Sequence, residues 1–182
     1  MVVTPTPPNP PILNDPTLTS TWSHRAWVAS GCIITVLISL AKAITGAAKS
    51  HMWLEPIVAG LLGYILADLA SGVHHWFIDN YGSASTPLFG TQIDAFQDPH
   101  KRPWRVTRIQ FANIIHTLAR GVTLTVLPID LACSCNDPTI HGFVAVFSGC
   151  IIFSLKFHAL AHTPKSQLPL LVAALQDAGL LV

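Results

Sequence analysis

Charged residues are scarce in this sequence, and their scarcity excludes an ordinary soluble fold. Lys and Arg number 10 and Asp and Glu number 9, so 10% of the 182 residues are charged, against about 25% in a typical globular domain. The formal net charge of +1 gives no basis for general nucleic-acid binding. Apolar residues make up 51% of the chain, and its mean hydropathy is +0.50. The composition therefore predicts an integral membrane protein.

Cysteine is also sparse, and no C-x-x-C pair is present, which excludes a cysteine-rich zinc site. Cys32 and Cys150 fall in apolar runs, where a reduced and packed thiol is the usual state. Cys133 and Cys135 form a lone C-x-C. We expect all four thiols to be structural.

The N-terminal segment lacks the charged and apolar regions of a secretory signal, and it lacks the arginines of a typical transit peptide. It is rich in proline and threonine and has no periodic apolar face, so it cannot bury enough surface to offset the entropy of ordering. We predict a disordered segment over residues 1–21 and a membrane-embedded domain over residues 22–182.

Long apolar runs are what the sequence has in abundance, and they predict membrane-spanning helices. Trp53 and Trp76 bracket one run with a separation that corresponds to roughly 35 Å of helix, which suits about 30 Å of hydrocarbon. Lys42 interrupts another run and is expected to extend toward an interface. We predict an all-α, polytopic fold with about four apolar helices, over residues 26–48, 53–76, 114–133 and 140–161.

Two histidines at the end of the last apolar run are the strongest sign of chemistry. His158 and His162 are four residues apart, so on a helix they lie on the same face. A histidine at membrane depth is costly unless it has a partner, which makes it a functional candidate by default. Two on one face indicate a metal site between membrane helices.

Further candidate ligands cluster at the ends of the other runs. On a helix, Asp68, His75 and Asp79 fall within about 20° of one stripe, whereas His74 points away. A carboxylate near a histidine can bind the metal or accept a hydrogen bond from the imidazole. His116 opens the third apolar run. If the polar segments fold back, these histidines meet at one membrane face.

Other histidines give weaker signals. His100 lies in a basic loop. His24, His51 and His141 have no partner at ligand spacing and look unrelated to the site. Imidazole and carboxylate ligands suit iron or zinc, and one catalytic zinc needs only three protein ligands. A single zinc, a bis-histidine haem and a two-iron centre therefore remain open.

Cations gather in the polar segment between the second and third runs. Lys101, Arg102, Arg105 and Arg108 predict that this segment faces cytoplasm, stroma or matrix. We expect Lys101, Arg102 and Arg105 to bind an anionic lipid headgroup. Charge reversal at these positions should weaken binding of anionic lipid but not of zwitterionic lipid.

Several separated motifs, in order, resemble the lipid desaturase family, which includes the plant chloroplast fatty acid desaturase 4 type and animal plasmanylethanolamine desaturase. The resemblance runs from about Ser20 to Val182 and is closest to the plant plastid branch. It is carried by the segments SGVHHWFIDNYG, TPLFGTQIDAF, RIQFANIIHTLAR, FHALAHTPKSQLP and ALQDAGLLV.

The resemblance implies a membrane enzyme with a histidine-rich di-iron centre. Such an enzyme uses O₂ and two electrons to introduce a double bond into a phospholipid chain. For the plant branch it implies palmitate of phosphatidylglycerol as substrate, a ferredoxin-type electron donor and a chloroplast membrane. By motif, it implies that the metal ligands are His75, Asp79, His100, His116, His158 and His162.

Two departures from the family pattern put the chemistry in question. Pro99 stands where the family has the first of two paired histidines, and the sequence ends at Val182, before a family segment of the form R-x-x-H-x-x-H-H. Four expected imidazoles are thus absent. The alternative expectation is a catalytically inactive family member that keeps only the membrane scaffold.

Overall fold

The architecture is built from helices alone in the part of the chain that the structure describes. The computed structural model describes residues 16–87, 90, 93–94, 97, 107–133, 137–161, 163 and 165–178. Its helices are α1 (Trp22–Ser30), a π-helical segment (Gly31–Ile38), α2 (Ser39–Ser50), α3 (Leu54–Tyr81), α4 (Phe111–Ala132), α5 (Pro138–Ala161) and α6 (Leu170–Asp177). The predicted all-α class is confirmed.

Among the described residues, four helical stretches are long and apolar enough to cross a membrane: Pro16–Ser50, Leu54–Tyr81, Phe111–Ala132 and Pro138–Leu160. Large apolar side chains remain exposed along them. On α3, for example, Leu61, Ile65 and Leu69 are each 59% exposed. Lipid tails are as apolar as leucine, so exposure of such surfaces to a bilayer carries no hydrophobic cost. The polytopic membrane fold is confirmed, including the third run with its internal Pro128.

The first span changes helical type in its middle. Over Gly31–Ile38 the backbone is π-helical, in which hydrogen bonds connect residues five apart. The buried hydroxyl of Thr35 donates to the carbonyl of Gly31 within this segment. On one side of the segment α1 packs against α4, and on the other side α2 packs against α5. The first half of this span therefore contacts α4, and the second half contacts α5.

Helix α5 is the centre of the bundle, since it packs against α2, α3 and α4. Small residues bring α5 close to α3. A Cβ added to Gly142 would lie 2.6 Å from the carbonyl oxygen of Pro56, and one added to Gly63 would lie 2.9 Å from that of Phe143. Without interhelical hydrophobic driving force in lipid, such close backbone packing is a main source of helix association.

The short segment before α1 is attached to the start of α4. Pro16–Leu18 forms a turn of 3₁₀ helix. Two polar residues at the start of α4 then bind the backbone of this segment. The bonds run from Ser20 N–H to Gln110 Oε1 (2.8 Å), from Gln110 N–H to the Leu18 carbonyl (2.9 Å), and from Asn113 Nδ2 to the carbonyls of Thr17 (2.8 Å) and Thr19 (3.0 Å). Residues 17–20 are thus hydrogen-bonded to the start of α4, and the disorder predicted for residues 1–21 stays a prediction.

A buried polar cluster joins three helices at the end where α4 meets α5. The Ser39 hydroxyl lies 2.9 and 2.8 Å from the two carboxylate oxygens of Asp130, and His141 Nδ1 lies 3.2 Å from Asp130 Oδ1. Lys42 donates to the backbone carbonyls of Asp130 and Cys133. Lys42 therefore binds the last carbonyls of α4, where this span ends, and its extension toward an interface stays a prediction.

Candidate metal centre

Histidines from four helix ends lie at the same end of the bundle. The spans alternate in direction, so the start of α1, the end of α3, the start of α4 and the end of α5 share one face. His24, His75, His116 and His158 occupy these four positions. His51 and His141 lie at the opposite end. His75, His116 and His158, which were predicted to lie near one face, are thus at the same end of the bundle, and their role as metal ligands stays a prediction.

His75 and His158 bring α3 and α5 together at this face. Their ring centroids are 5.3 Å apart, with 34° between the ring planes, and both side chains are half-buried. His75 Nδ1 lies 2.9 Å from the carbonyl oxygen of Ser71. Because a carbonyl only accepts, Nδ1 carries the hydrogen and the lone pair is on Nε2.

His116 is held in the same tautomer by its own helix. Its Nδ1 lies 2.9 Å from the carbonyl oxygen of Asn113, and its Nε2 lies 3.3 Å from the hydroxyl oxygen of Thr117. Histidines that bind metals almost always donate their second ring N–H to a carbonyl, a carboxylate or water. His75 and His116 therefore have the donor arrangement that an iron or zinc ligand requires.

His24 is an unexpected member of this face. Its ring stacks on that of His116, with centroids 3.9 Å apart and 19° between the planes. The two residues are distant in the chain, so no spacing rule could indicate this contact. Thr21 and His24 also form a reciprocal N-cap at the start of α1, with histidine where Glu or Gln is usual.

His141, which was also set aside, belongs to the cluster at the other end. Its side chain is fully buried and pairs with Asp130 across two helices. Asp130 and His141 were predicted to belong to different runs, and no spacing rule relates them. The pair is remote from the candidate metal centre.

The structure describes only some of the remaining candidate ligands. Asp79 lies one turn after His75 on α3 and is exposed, as is Asp68. His74 meets His75 edge to face, with centroids 6.2 Å apart. Within the described ranges, no three His, Cys, Asp or Glu side chains form a group able to hold a metal ion. His100, His162, Lys101, Arg102 and Arg105 lie outside the described residues.

The described part of the loop after α3 folds back onto this end of the bundle. Gln97 Nε2 donates to the carbonyls of Ile78 (3.2 Å) and Gly82 (3.1 Å), and Ile93 is buried against Gly82. Ile93 and Gln97 therefore lie against the end of α3, at the face where the histidines lie.

An apolar groove runs between α2, α3 and α5. Its volume is about 310 Å³. Tyr64 lines the groove and precedes His75 by about 16 Å of helix. The other lining residues are almost all apolar and include Ala43, Ile44, Ile57, Leu61 and Val146. The groove therefore fits a hydrocarbon chain and offers almost nothing to a polar ligand.

Comparisons with known proteins agree with this arrangement. A sequence profile of the lipid desaturase domain matches residues 64–182. Fatty acid desaturase 4-like 2, chloroplastic, from Arabidopsis thaliana is 60% identical over 174 residues, which cover 96% of this chain and 61% of that protein. Fatty acid desaturase 4, chloroplastic, from the same plant is 62% identical over 162 residues, or 89% of this chain and 49% of that protein.

A bacterial relative is more distant. Plasmanylethanolamine desaturase from Myxococcus xanthus is 30% identical over 156 residues, covering 82% of this chain and 53% of that protein. The chain thus spans between about half and three-fifths of the length of these relatives. No solved structure matches it. With four candidate spans, a histidine face and this domain match over most of its length, the chain belongs to the lipid desaturase family.

Proposed function

We propose that this chain is the membrane-embedded part of an acyl-lipid desaturase that depends on iron and O₂. The observation that carries the proposal is the His75–His158 pair, because it joins two membrane spans through half-buried imidazoles at one face. Family membership supports the same reading, as relatives are named fatty acid desaturases and plasmanylethanolamine desaturase. Those names together indicate a hydrocarbon chain of a lipid as substrate.

Iron would be held by the imidazoles at this face. When bound, it would supply the activation of O₂ that removal of hydrogen from a methylene requires. His75 and His116 contribute fixed tautomers, since backbone carbonyls hold Nδ1–H and place the lone pair on Nε2. The proposed ligands are His75, His116 and His158 with Asp79, joined by His100 and His162 from outside the described residues.

The proposed substrate is palmitate esterified to phosphatidylglycerol. Its chain would lie along α3, where the lining of the groove is almost entirely apolar. Lys101, Arg102 and Arg105 would bind the anionic headgroup, which is worth about 1 kcal/mol per cation near an anionic surface. A ferredoxin-type donor would supply electrons, and the two plant relatives named chloroplastic favour a chloroplast membrane.

Metal content of the purified chain in detergent tests this proposal, together with lipid analysis of cells that express it. We expect about two irons per chain, as in a two-metal site, and a new double bond in the palmitate of phosphatidylglycerol. Both should be lost in the His158→Ala/His162→Ala variant and kept in His51→Asn, a histidine change at the opposite face. Absence of iron from the unchanged chain would contradict the proposal and leave a membrane scaffold without the family's chemistry.

A further inference from the structure

We propose that α1 and α4 together bind the phosphate group of an anionic phospholipid, through His24 and Arg120. This lipid is distinct from the proposed substrate, and the inference requires neither iron nor catalysis. Three features of the molecule support it: the hydrogen on Nε2 of His24, the exposed position of Arg120, and the absence of acidic residues from the segments that carry them.

His24 offers a hydrogen-bond donor at the start of α1. Its backbone N–H donates to Thr21 Oγ1 (3.3 Å), and Thr21 N–H donates to its Nδ1 (3.3 Å). A backbone N–H can only donate, so Nδ1 is an acceptor and the neutral ring carries its hydrogen on Nε2. Among the described residues, nothing accepts this hydrogen. A phosphate oxygen can do so.

Arg120 places a positive charge on the exposed surface of α4. It lies within a candidate span and is exposed, and its guanidinium makes no hydrogen bond or ion pair in the part of the chain that the structure describes. An arginine at membrane depth is costly without a partner. Helical side chains lean toward the N-terminus of their helix, which for α4 is the end of the bundle that carries the histidines. Arg120, about 6 Å along α4 from His116, can therefore extend to the level of the stacked His24 and His116 rings.

The side of α4 that carries Arg120 faces away from α5. Phe111 of α4 stacks on Phe153 of α5, with centroids 6.2 Å apart, and Arg120 follows Phe111 by nine residues, or about 180° around the helix. His116 is only about 40° from Arg120 in the same projection, and it contacts α1 through His24. The two proposed phosphate-binding residues therefore lie along the contact of α1 with α4, and not in the groove between α2, α3 and α5.

The segments that form this contact contain cations but no carboxylates. Residues 16–54 and 99–129 have no Asp or Glu, whereas Asp68 and Asp79 lie on α3. An anion at the contact of α1 with α4 therefore meets no negative side chain of these segments. Arginine forms bidentate hydrogen bonds with phosphate, and basic surfaces beside membrane spans attract anionic lipids.

The surroundings favour a phospholipid over a free phosphate. Trp22, at the start of α1, is 83% exposed, and exposed tryptophans are typical of the headgroup level of a membrane. Leu124 follows Arg120 by one helical turn and is 62% exposed. A lipid whose phosphate is bound by His24 and Arg120 would thus have its headgroup beside Trp22 and its acyl chains along Leu124.

Native mass spectrometry of the full chain in a neutral detergent tests this site, with dioctanoyl phosphatidylglycerol as the probe. Arg120→Gln should weaken the binding of one lipid molecule about 10–100-fold, the effect of losing a hydrogen bond to a charged group. Arg25→Gln is the matched control, because it removes the same charge from an exposed residue that lies about 100° around α1 from His24. It should lower the affinity by no more than about 5-fold. Equal loss in both variants would overturn the inference, since only general attraction between charges would then remain.

His24→Gln and His24→Glu separate the donor from the ring. Either residue suits the position that pairs with Thr21 in the N-cap, so the two variants should have the same melting temperature in lipid-free detergent. Gln keeps an N–H donor and Glu presents a carboxylate, so only His24→Glu should lose the lipid. Ala26→Glu adds the same charge about 200° around α1 and should retain the lipid. Equal binding by His24→Gln and His24→Glu would overturn the role of His24.

Two further titrations identify the ligand. Inorganic phosphate at the same concentration should not displace the lipid, and dioctanoyl phosphatidylcholine should bind the unchanged chain more weakly, because its headgroup carries no net charge. Displacement by inorganic phosphate would overturn the assignment to a lipid. Equal affinity for the two lipids would overturn the preference for an anionic one.

Discussion

Single hydrogen bonds to backbone carbonyls decide which nitrogen of each histidine is available. His75 uses the carbonyl four residues earlier and His116 the one three residues earlier, so both rings are oriented by their own helices. This support needs no other side chain, and it follows from the helical position alone. Asp130 differs, because its carboxylate depends on partners from two other helices.

Asp130→Ala is expected to destabilise the protein by about 1–3 kcal/mol for each buried polar group that it leaves without its hydrogen-bond partner. Ser39 and His141 would then be buried without their acceptor, since both are 0% exposed. Thermal unfolding in detergent micelles, followed by circular dichroism, measures the effect.

Asp177→Ala is the control, because this carboxylate pairs with Lys165 at an exposed site. Exposed pairs contribute about 0–1 kcal/mol, so its melting temperature should scarcely move. Equal destabilisation by both substitutions would contradict the prediction, because the buried contacts of Asp130 would then contribute no more than an exposed pair.

Between elements, the contact of α3 with α5 depends on glycines. Gly63→Ala and Gly142→Ala should each destabilise by about 1–3 kcal/mol through overpacking, because the added methyl meets backbone of the facing helix. The shift should also separate His75 from His158, since these two helices carry them. The melting temperature and the iron content should therefore fall together.

Gly72→Ala provides the comparison on the same helix. A Cβ there meets nothing within 4 Å, and alanine is favoured over glycine in a helix by about 0.5–1 kcal/mol. We expect unchanged or slightly raised stability and unchanged iron content. Loss of stability in this variant would mean that α3 tolerates no added methyl group, whatever it faces.

Features that depend on local spacing along the chain could be predicted from the sequence, whereas features that depend on contacts between helices could not. The four spans follow from apolar runs, and the candidates at the ends of α3, α4 and α5 follow from helical spacing. The stack of His24 on His116 and the pair of Asp130 with His141 come from contacts between helices. No local pattern encodes such contacts, so the sequence left both pairs unrecognised.

For the whole molecule, the alternation of the spans predicts which segments share a side of the membrane. In a cysteine-free background, Ser83→Cys and Ser166→Cys should react with a membrane-impermeant maleimide from one side of sealed vesicles. Lys49→Cys and Asp137→Cys should react only from the other. The nearby cations from Lys101 to Arg108 predict that the first side faces cytoplasm, stroma or matrix. Labelling of Ser83→Cys and Asp137→Cys from the same side would contradict this topology.

The π-helical segment of the first span determines which neighbour each half of that span faces. Helical turns of different width put the residues before and after Gly31–Ile38 out of phase, which lets α1 face α4 while α2 faces α5. Loss of one residue from this segment would restore a uniform phase and swing Thr21 and His24 around the helix axis, away from His116. Deletion of one residue here would therefore rotate the first half of the span about its axis and shorten the span only slightly.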